Sequence, residues 1–187
     1  MSAPSLRPGR LRPYDPSHYD LTIPGWMEQD ELHWLYNTAT RMRSVVEIGC
    51  YQGRSTYALL KGCKGPVYAI DPWGGLMPGE GDMLPVFRKN LEGRCTIGDL
   101  MRLYCYKERS EHAIDMIPGC PDMVFIDGDH LYPGVVRDIE IWLPKATKII
   151  CGHDFGNSDW PDVERAVCER FGDRVENPAG LIWSVRL

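Results

Sequence analysis

No stretch of this 187-residue chain approaches the ~20 consecutive apolar residues that a bilayer span needs. Arg7, Arg10 and Arg12 stand near the start with no apolar run behind them, which argues against a cleaved leader. There is no C-x-x-C pair. The seven cysteines (50, 63, 95, 105, 120, 151 and 168) form an odd set, and Cys50, Cys105 and Cys151 sit in or beside apolar runs, as small buried hydrophobes do. That pattern argues against a disulfide framework or zinc ribbon and for a reducing, cytoplasmic setting. An excess of positive charge is also missing: 21 basic against 26 acidic residues give −5. Nucleic acid and anionic membranes are therefore not expected partners. Internal repeats are absent.

What remains has the make-up of a globular domain, 43% hydrophobic and 25% charged. A chain of this size buries about 70% of its unfolded surface, enough for a core without staples. Residues 1–24 hold Pro4, Pro8, Pro13, Pro16 and Pro24 with little apolar periodicity and read as an extended arm. Residues 25–187 read as one domain.

Along that domain, short apolar runs alternate with helical periods. The periodicity predicts helices over Met27–Arg41, Ser55–Lys61, Met83–Leu91, Glu111–Ile117, Tyr132–Trp142 and Val163–Phe171. Strands are expected at Val45–Ile48, Val67–Ile70, Leu103–Tyr106, Met123–Ile126, Lys148–Cys151 and Leu181–Val185. Such alternation implies right-handed βαβ crossovers and a mostly parallel α/β sheet.

In an open α/β sheet, ligands bind outside the carboxyl ends of the strands. Four of the expected strands end in polar groups or a tight turn: Gly49, Asp71, Asp127 and Asp154. The first turn, Glu47-Ile48-Gly49-Cys50-Tyr51-Gln52-Gly53-Arg54-Ser55, combines two flexible glycines with a helix start that offers free N–H groups. Asp71, 18 residues after Gly53, is placed to accept both hydroxyls of a ribose. The pattern is that of a nucleoside site. Tyr51 occupies the place of the middle glycine of G-x-G-x-x-G, which removes the close approach that a dinucleotide's pyrophosphate requires.

Glu47-x-Gly49-x-x-x-Gly53, Asp71, the run Phe125-Ile126-Asp127-Gly128-Asp129-His130 and Gly152-His153-Asp154 together resemble a class I S-adenosylmethionine-dependent methyltransferase. The resemblance is to the small subgroup related to catechol and macrolide-sugar O-methyltransferases. It runs from about residue 24 to the C-terminus and includes a leading helix with Gly25-Trp26-Met27 and Glu31-Leu32. It implies a doubly wound, mostly parallel, seven-stranded Rossmann-like sheet with a final antiparallel strand, for which Leu181–Val185 is the candidate.

The same resemblance assigns roles. Gly49, Tyr51 and Gly53 would line the methionine part of S-adenosylmethionine, with Glu47 beneath and Ser55 near its carboxylate. Asp71 would hold the ribose, and Ser110 would lie beside the adenine. The stretch Gly93–Arg109 is longer than the family's usual approach to the third strand, after which Ser110 stands.

Methyl transfer requires an acceptor oxygen stripped of its proton and aligned with the methyl. Asp127 and Asp154 end adjacent expected strands, where two hard oxygen ligands suit Mg²⁺. His153 stands where the subgroup carries an acid or amide, and an imidazole shifts the preference toward Mn²⁺ or another transition metal. The metal set is thus Asp127, His153 and Asp154, set against direct hydrogen bonding to cofactor or substrate. His130 is the candidate general base, matching a histidine in the subgroup's sugar methyltransferases; the alternative is a helix cap or a partner of Asp154. Asp129 either orients His130 or serves the helix dipole. Trp73, Tyr132 and Trp160 either stack an acceptor ring or sugar face or cover the core. His33 and His112, on expected helices, are read as surface or partly packed.

The expected acceptor is a hydroxyl of a small molecule or sugar. Because 187 residues leave little room for a substrate domain, the cleft would be closed by the arm or by a neighbouring subunit of an oligomer. Two other readings stand beside this one: a nicotinamide-dependent oxidoreductase, and a cofactor-binding module without catalysis.

Overall fold

Four tetrads of the sequence, Val45–Ile48, Val67–Ile70, Met123–Ile126 and Ile149–Gly152, are buried at every position. Nearly continuous apolar, β-branched runs of this kind belong to strands covered on both faces. In the computed structural model, which describes residues 16–75 and 81–187, they form the centre of a seven-stranded sheet.

The strands are β1 (Val45–Ile48), β2 (Val67–Ile70), β3 (Leu103–Tyr106), β4 (Met123–Ile126), β5 (Ile149–Gly152), β6 (Glu176–Ala179) and β7 (Ile182–Arg186). The helices are α1 (Gln29–Ala39), α2 (Arg54–Gly62), α3 (Leu84–Glu92), α4 (Ile97–Leu100), α5 (Ser110–Ala113), α6 (Tyr132–Trp142) and α7 (Pro161–Phe171). Strand order is β3-β2-β1-β4-β5-β7-β6, with β3 through β5 parallel and β7 antiparallel to both its neighbours.

The two-residue period of the strands sorts side chains between two cores. Val45, Val67, Met123, Phe125 and Cys151 pack with Leu32, Leu35, Leu59 and Leu60 of α1 and α2. Val46, Ile48, Val124, Ile126 and Ile150 face Val135, Ile139 and Trp142 of α6 and Val167 and Phe171 of α7. A third cluster, with Ile23, Cys50, Trp73, Phe87 and Leu91, closes the sheet beside the first turn.

Four differences from the expected elements stand out, the first two with local causes. β6 contains Asn177 and Pro178 and carries no apolar alternation; as an edge strand it tolerates the proline, and its pairing comes from β7. The four-residue α4 is made by its ends, where Thr96 Oγ1 accepts from the Asp99 N–H and Asp99 accepts from the Thr96 N–H. The helix expected over Glu111–Ile117 is limited to α5, and the fifth strand begins one residue later and ends at Gly152.

Residues 1–15 of the Pro-rich segment lie outside the described residues. Tyr19 and Ile23, near its end, are buried in the core. Ile23 is held there by Arg54, whose guanidinium donates to the carbonyls of Leu21, Ile23 and Met27 at 3.1, 2.6 and 2.9 Å.

Candidate active site

Ile70, Ile48, Ile126 and Gly152 are partners across β2-β1-β4-β5, so the four central strands end flush. The next residues, Asp71, Gly49, Asp127 and His153, therefore leave the sheet side by side. Strand order reverses between β1 and β4, which puts the crevice of the fold at this edge.

On the β1–β2 side the Gly49–Gly53 turn is gathered by Asp71. Its Oδ2 accepts from the N–H groups of Cys50 (2.8 Å) and Tyr51 (2.9 Å), and its Oδ1 from Trp73 N–H. Each carboxylate oxygen accepts about two bonds. Oδ2 is thus committed to the turn, and Oδ1 keeps one position for a ligand hydroxyl.

Tyr51 sits at φ 44, a costly conformation for a residue with a Cβ. It is held by that N–H bond, by the Trp73 indole N–H donating to its carbonyl (2.9 Å), and by the Trp26 ring at 5.0 Å. Gly49, at φ 83, is required by the protein itself: a Cβ there would lie 1.9 Å from the Asp127 carbonyl oxygen.

Beneath the turn Glu47 is fully buried. Its Oε2 accepts from the Thr56 hydroxyl, while among the described residues Oε1 makes no close hydrogen bond, with the Ser55 and Cys50 side chains nearby. Burial pushes its carboxyl up to about 7. Ser55 lies next to it in the first turn of α2 and is also buried.

Ser110, expected beside the adenine, opens α5. Its buried hydroxyl donates to Asp138 of α6, tying α5 to α6. Burial raises the Asp138 carboxyl.

On the β4–β5 side four groups converge. His130 Nε2 lies 2.8 Å from Asp154 Oδ2 and 3.8 Å from Asp127 Oδ1. His153 Nδ1 lies 3.3 Å from Asp154 Oδ2 and 3.7 Å from Asp127 Oδ1. Asp154 adopts φ 63 and also accepts from the Asn157 amide at 2.6 Å.

Burial disfavours the charge on both histidines, but the surrounding carboxylates outweigh it, raising His130 to about 9 and His153 to about 10. Burial likewise opposes ionisation of Asp154, yet the bonds from His130, His153 and Asn157 hold it well below the usual carboxylate range. Asp127 moves the other way: burial raises it, with some help from the neighbouring Asp154 charge.

Donor atoms of Asp127, His153 and Asp154 lie within 4.8 Å of one another. Two carboxylate oxygens and one imidazole nitrogen fit a divalent ion that accepts mixed N/O ligation, as Mn²⁺ does.

The structure also sorts the remaining candidates. Asp129 accepts from Leu131 N–H (3.0 Å) and shapes the entry to α6. Trp160 stacks on His130 at 4.8 Å and is 40% exposed. Trp73 is buried against Phe87, and Tyr132 lines a groove between α6 and α7, its hydroxyl bonded to Glu169. His112 is exposed on α5, whereas His33 is buried on α1 beside Tyr19.

One functional group escaped the sequence reading as chemistry. Glu31 of α1, 3% exposed, holds the far nitrogen of His153 (Nε2 to Oε1, 3.1 Å). The only signal was an acid adjoining the apolar face of α1, and its place in the first helical turn explains that without a partner.

A seven-stranded sheet in this order, with its switch point beside a glycine turn and a strand-end acid, defines the Rossmann-like methyltransferase fold. The chain belongs to the family described as "Methyltransferase domain", whose model matches residues 46–155. That membership sets aside the nicotinamide reading. No curated protein matches the chain.

Among solved structures, cofactor-bound Rv0187 from MTB is similar at TM-score 0.69 and 20% identity, over 95% of this chain and 92% of that one. An O-methyltransferase from Bacillus cereus in complex with SAH is similar at TM-score 0.65 and 19% identity, over 95% and 94%. CalS11, a TDP-rhamnose 3'-O-methyltransferase of calicheamicin biosynthesis, is similar at TM-score 0.59 and 17% identity, over 83% and 76%. Among the described residues, no helix is long and apolar enough to cross a membrane.

Proposed function

We propose that this protein transfers the methyl group of S-adenosylmethionine to a hydroxyl of a small molecule or sugar. The observation that carries the reading is the flush ending of β2, β1, β4 and β5. It sets a nucleoside half, with the turn, Glu47 and Asp71, directly beside a proton-handling half, with Asp127, His130 and Asp154. The cofactor bound to Rv0187, the SAH in the Bacillus cereus enzyme and the sugar nucleotide acted on by CalS11 support the two halves separately.

S-adenosylmethionine fits the first half on one count above all: the carboxylate of Glu47 is buried directly beneath the turn, and among the described residues its Oε1 makes no close hydrogen bond, only the Ser55 and Cys50 side chains lying near. The Oδ1 position left on Asp71 would take a ribose hydroxyl. When bound, the cofactor supplies an electrophilic sulfonium methyl, and a divalent ion at Asp127, His153 and Asp154 supplies charge that acidifies an acceptor hydroxyl.

The chain's own residues do the rest. His130 takes the acceptor proton on Nε2 as the acceptor oxygen bonds to the methyl carbon and the carbon–sulfur bond breaks, sulfur keeping the electron pair. For that, His130 must enter the step neutral. Asp127 and Asp154 together hold it protonated at neutral pH, so the base is released only when these carboxylates turn to another partner. Trp160 stacks on the His130 ring and presents a flat, half-open surface to the acceptor.

The test is calorimetric titration of S-adenosylmethionine and its demethylated product into the protein, followed by transfer of a labelled methyl to a panel of hydroxylated acceptors. Micromolar binding, weakened in Asp71→Asn, with labelled product lost in His130→Ala, is the expected result. Absence of binding by folded protein overturns the reading. Binding without turnover on any acceptor leaves the non-catalytic module in its place.

A further inference from the structure

The acidic side chain of Glu31 does more than begin a helix. Its Oε2 accepts from the Glu28 N–H at 2.6 Å, which completes the first turn of α1. Oε1 points away from that turn and accepts from Leu181 N–H at 2.7 Å, at the corner between β6 and β7, with His153 Nε2 at 3.1 Å. An acid whose task was only to cap a helix would be expected in water, where a charge costs least. Glu31 and His153 are instead 3% and 5% exposed.

The carboxylate is also clamped by shape. A Cβ on Gly180 would come within 2.4 Å of Oε1, and Gly180 lies at φ +46, where glycine is the favoured residue. The hairpin corner thus presses its bare backbone against Glu31.

We infer that Glu31 is a positioning residue that commits Nε2 of His153 and thereby presents Nδ1 to the Asp127–Asp154 pair. This rests on the reading of that pair, with His153, as a divalent-cation site. An imidazole has two nitrogens, and the partner of one sets the role of the other. With Nε2 committed to Glu31, Nδ1 is the nitrogen left facing Asp127 and Asp154, where a bound cation would take its lone pair in place of a proton. The same stretch of chain reaches the nucleoside half: Arg54, at the start of α2, holds Leu21, Ile23 and Met27, and Trp26 lies on Tyr51. The segment 21–31 therefore bridges the two halves, and Glu31 is its anchor on the acceptor side.

The experiment titrates Mn²⁺ alone, followed by its paramagnetic resonance signal, into wild type, Glu31→Gln and Glu31→Ala. S-adenosylmethionine binding is measured alongside, and imidazole N–H correlations are recorded by ¹⁵N NMR. The expected result is a roughly 10–100-fold loss of Mn²⁺ affinity in Glu31→Ala and a smaller loss in Glu31→Gln, whose amide oxygen still accepts the Nε2 proton. S-adenosylmethionine affinity stays within about twofold, and a hydrogen-bonded Nε2–H signal seen in wild type disappears from the alanine variant.

Equal Mn²⁺ affinity in wild type and both variants overturns the proposal. If wild type binds no Mn²⁺, the cation reading fails, and the imidazole spectrum decides the role of Glu31: a ring signal unchanged by the substitutions overturns it, and a lost or switched one sustains it. If Glu31→Ala does not fold, the same two readouts on Glu31→Gln decide, with no change in either counting against the proposal.

Discussion

At the β1–β2 half of the strand-end edge, one carboxylate, that of Asp71, gathers three backbone N–H groups into a strained turn. At the β4–β5 half, the carboxylates of Asp127, Asp154 and Glu31 surround two imidazoles. The first half is made mostly of backbone, and its two carboxylates, Asp71 and Glu47, are held by backbone N–H groups and a hydroxyl. The second is made of mutually dependent charges, so removing one changes the state of the others. A backbone cradle suits a ligand whose shape never varies; a coupled charge cluster suits a proton that must move.

The sharpest break of the contrast is at the seam between the halves. Gly49→Ala places a Cβ against the Asp127 carbonyl and strains a positive φ, so a loss of more than ~4 kcal/mol is expected by urea denaturation. Both halves fail together there. Next in size, His130→Ala should cut methyl transfer by about 10²–10⁴-fold while leaving S-adenosylmethionine affinity within about twofold, measured by single-turnover kinetics and calorimetry.

Stability against pH separates the halves in another way. Glu47 rises from an ordinary 4.5 to about 7 in the folded state, so the fold binds more protons than the unfolded chain in that window. Stability should therefore fall as pH climbs from ~4.5 through ~7, by on the order of 3 kcal/mol, and Glu47→Gln should flatten that slope. His130 and His153 rise from 6.5 to about 9 and about 10, so their contribution is complete below pH ~6.5 and is lost as pH climbs through those values. Denaturation midpoints over pH 5–11 should thus show two separate declines, the later one diminished in His153→Gln. The smallest effect is expected from Trp160→Ala: less than about 1 kcal/mol in stability, with a few-fold rise in the acceptor KM and no change in nucleoside binding.

The first half was readable in the chain because its parts are near in sequence and obey backbone rules. Gly49 and Gly53 mark positive φ, and Asp71 follows a four-residue apolar strand. The second half was readable only in part. Asp127, His130, His153 and Asp154 stand at strand ends and were candidates on that ground, but whether they touch depends on register between β4 and β5. The bond of Ser110 to Asp138 was not readable, because a serine at a helix start has no sequence sign that a buried aspartate awaits it on the next helix. β6 was missed because an edge strand with Asn177 and Pro178 draws its order from its neighbour.

By itself the sequence determined the α/β alternation, four of the central strands to within a residue, and the positions where polar chemistry meets strand ends. Those are local matters: apolar runs, glycine conformation and helix periods act over a few residues. Only the tertiary structure decided that Glu31 reaches His153 across 122 residues, that Asp71 spends its acceptors on the turn, and that His130 sits on Asp154. These depend on burial and on which strands lie side by side, and a charge finds its partner only after the sheet has brought the two together.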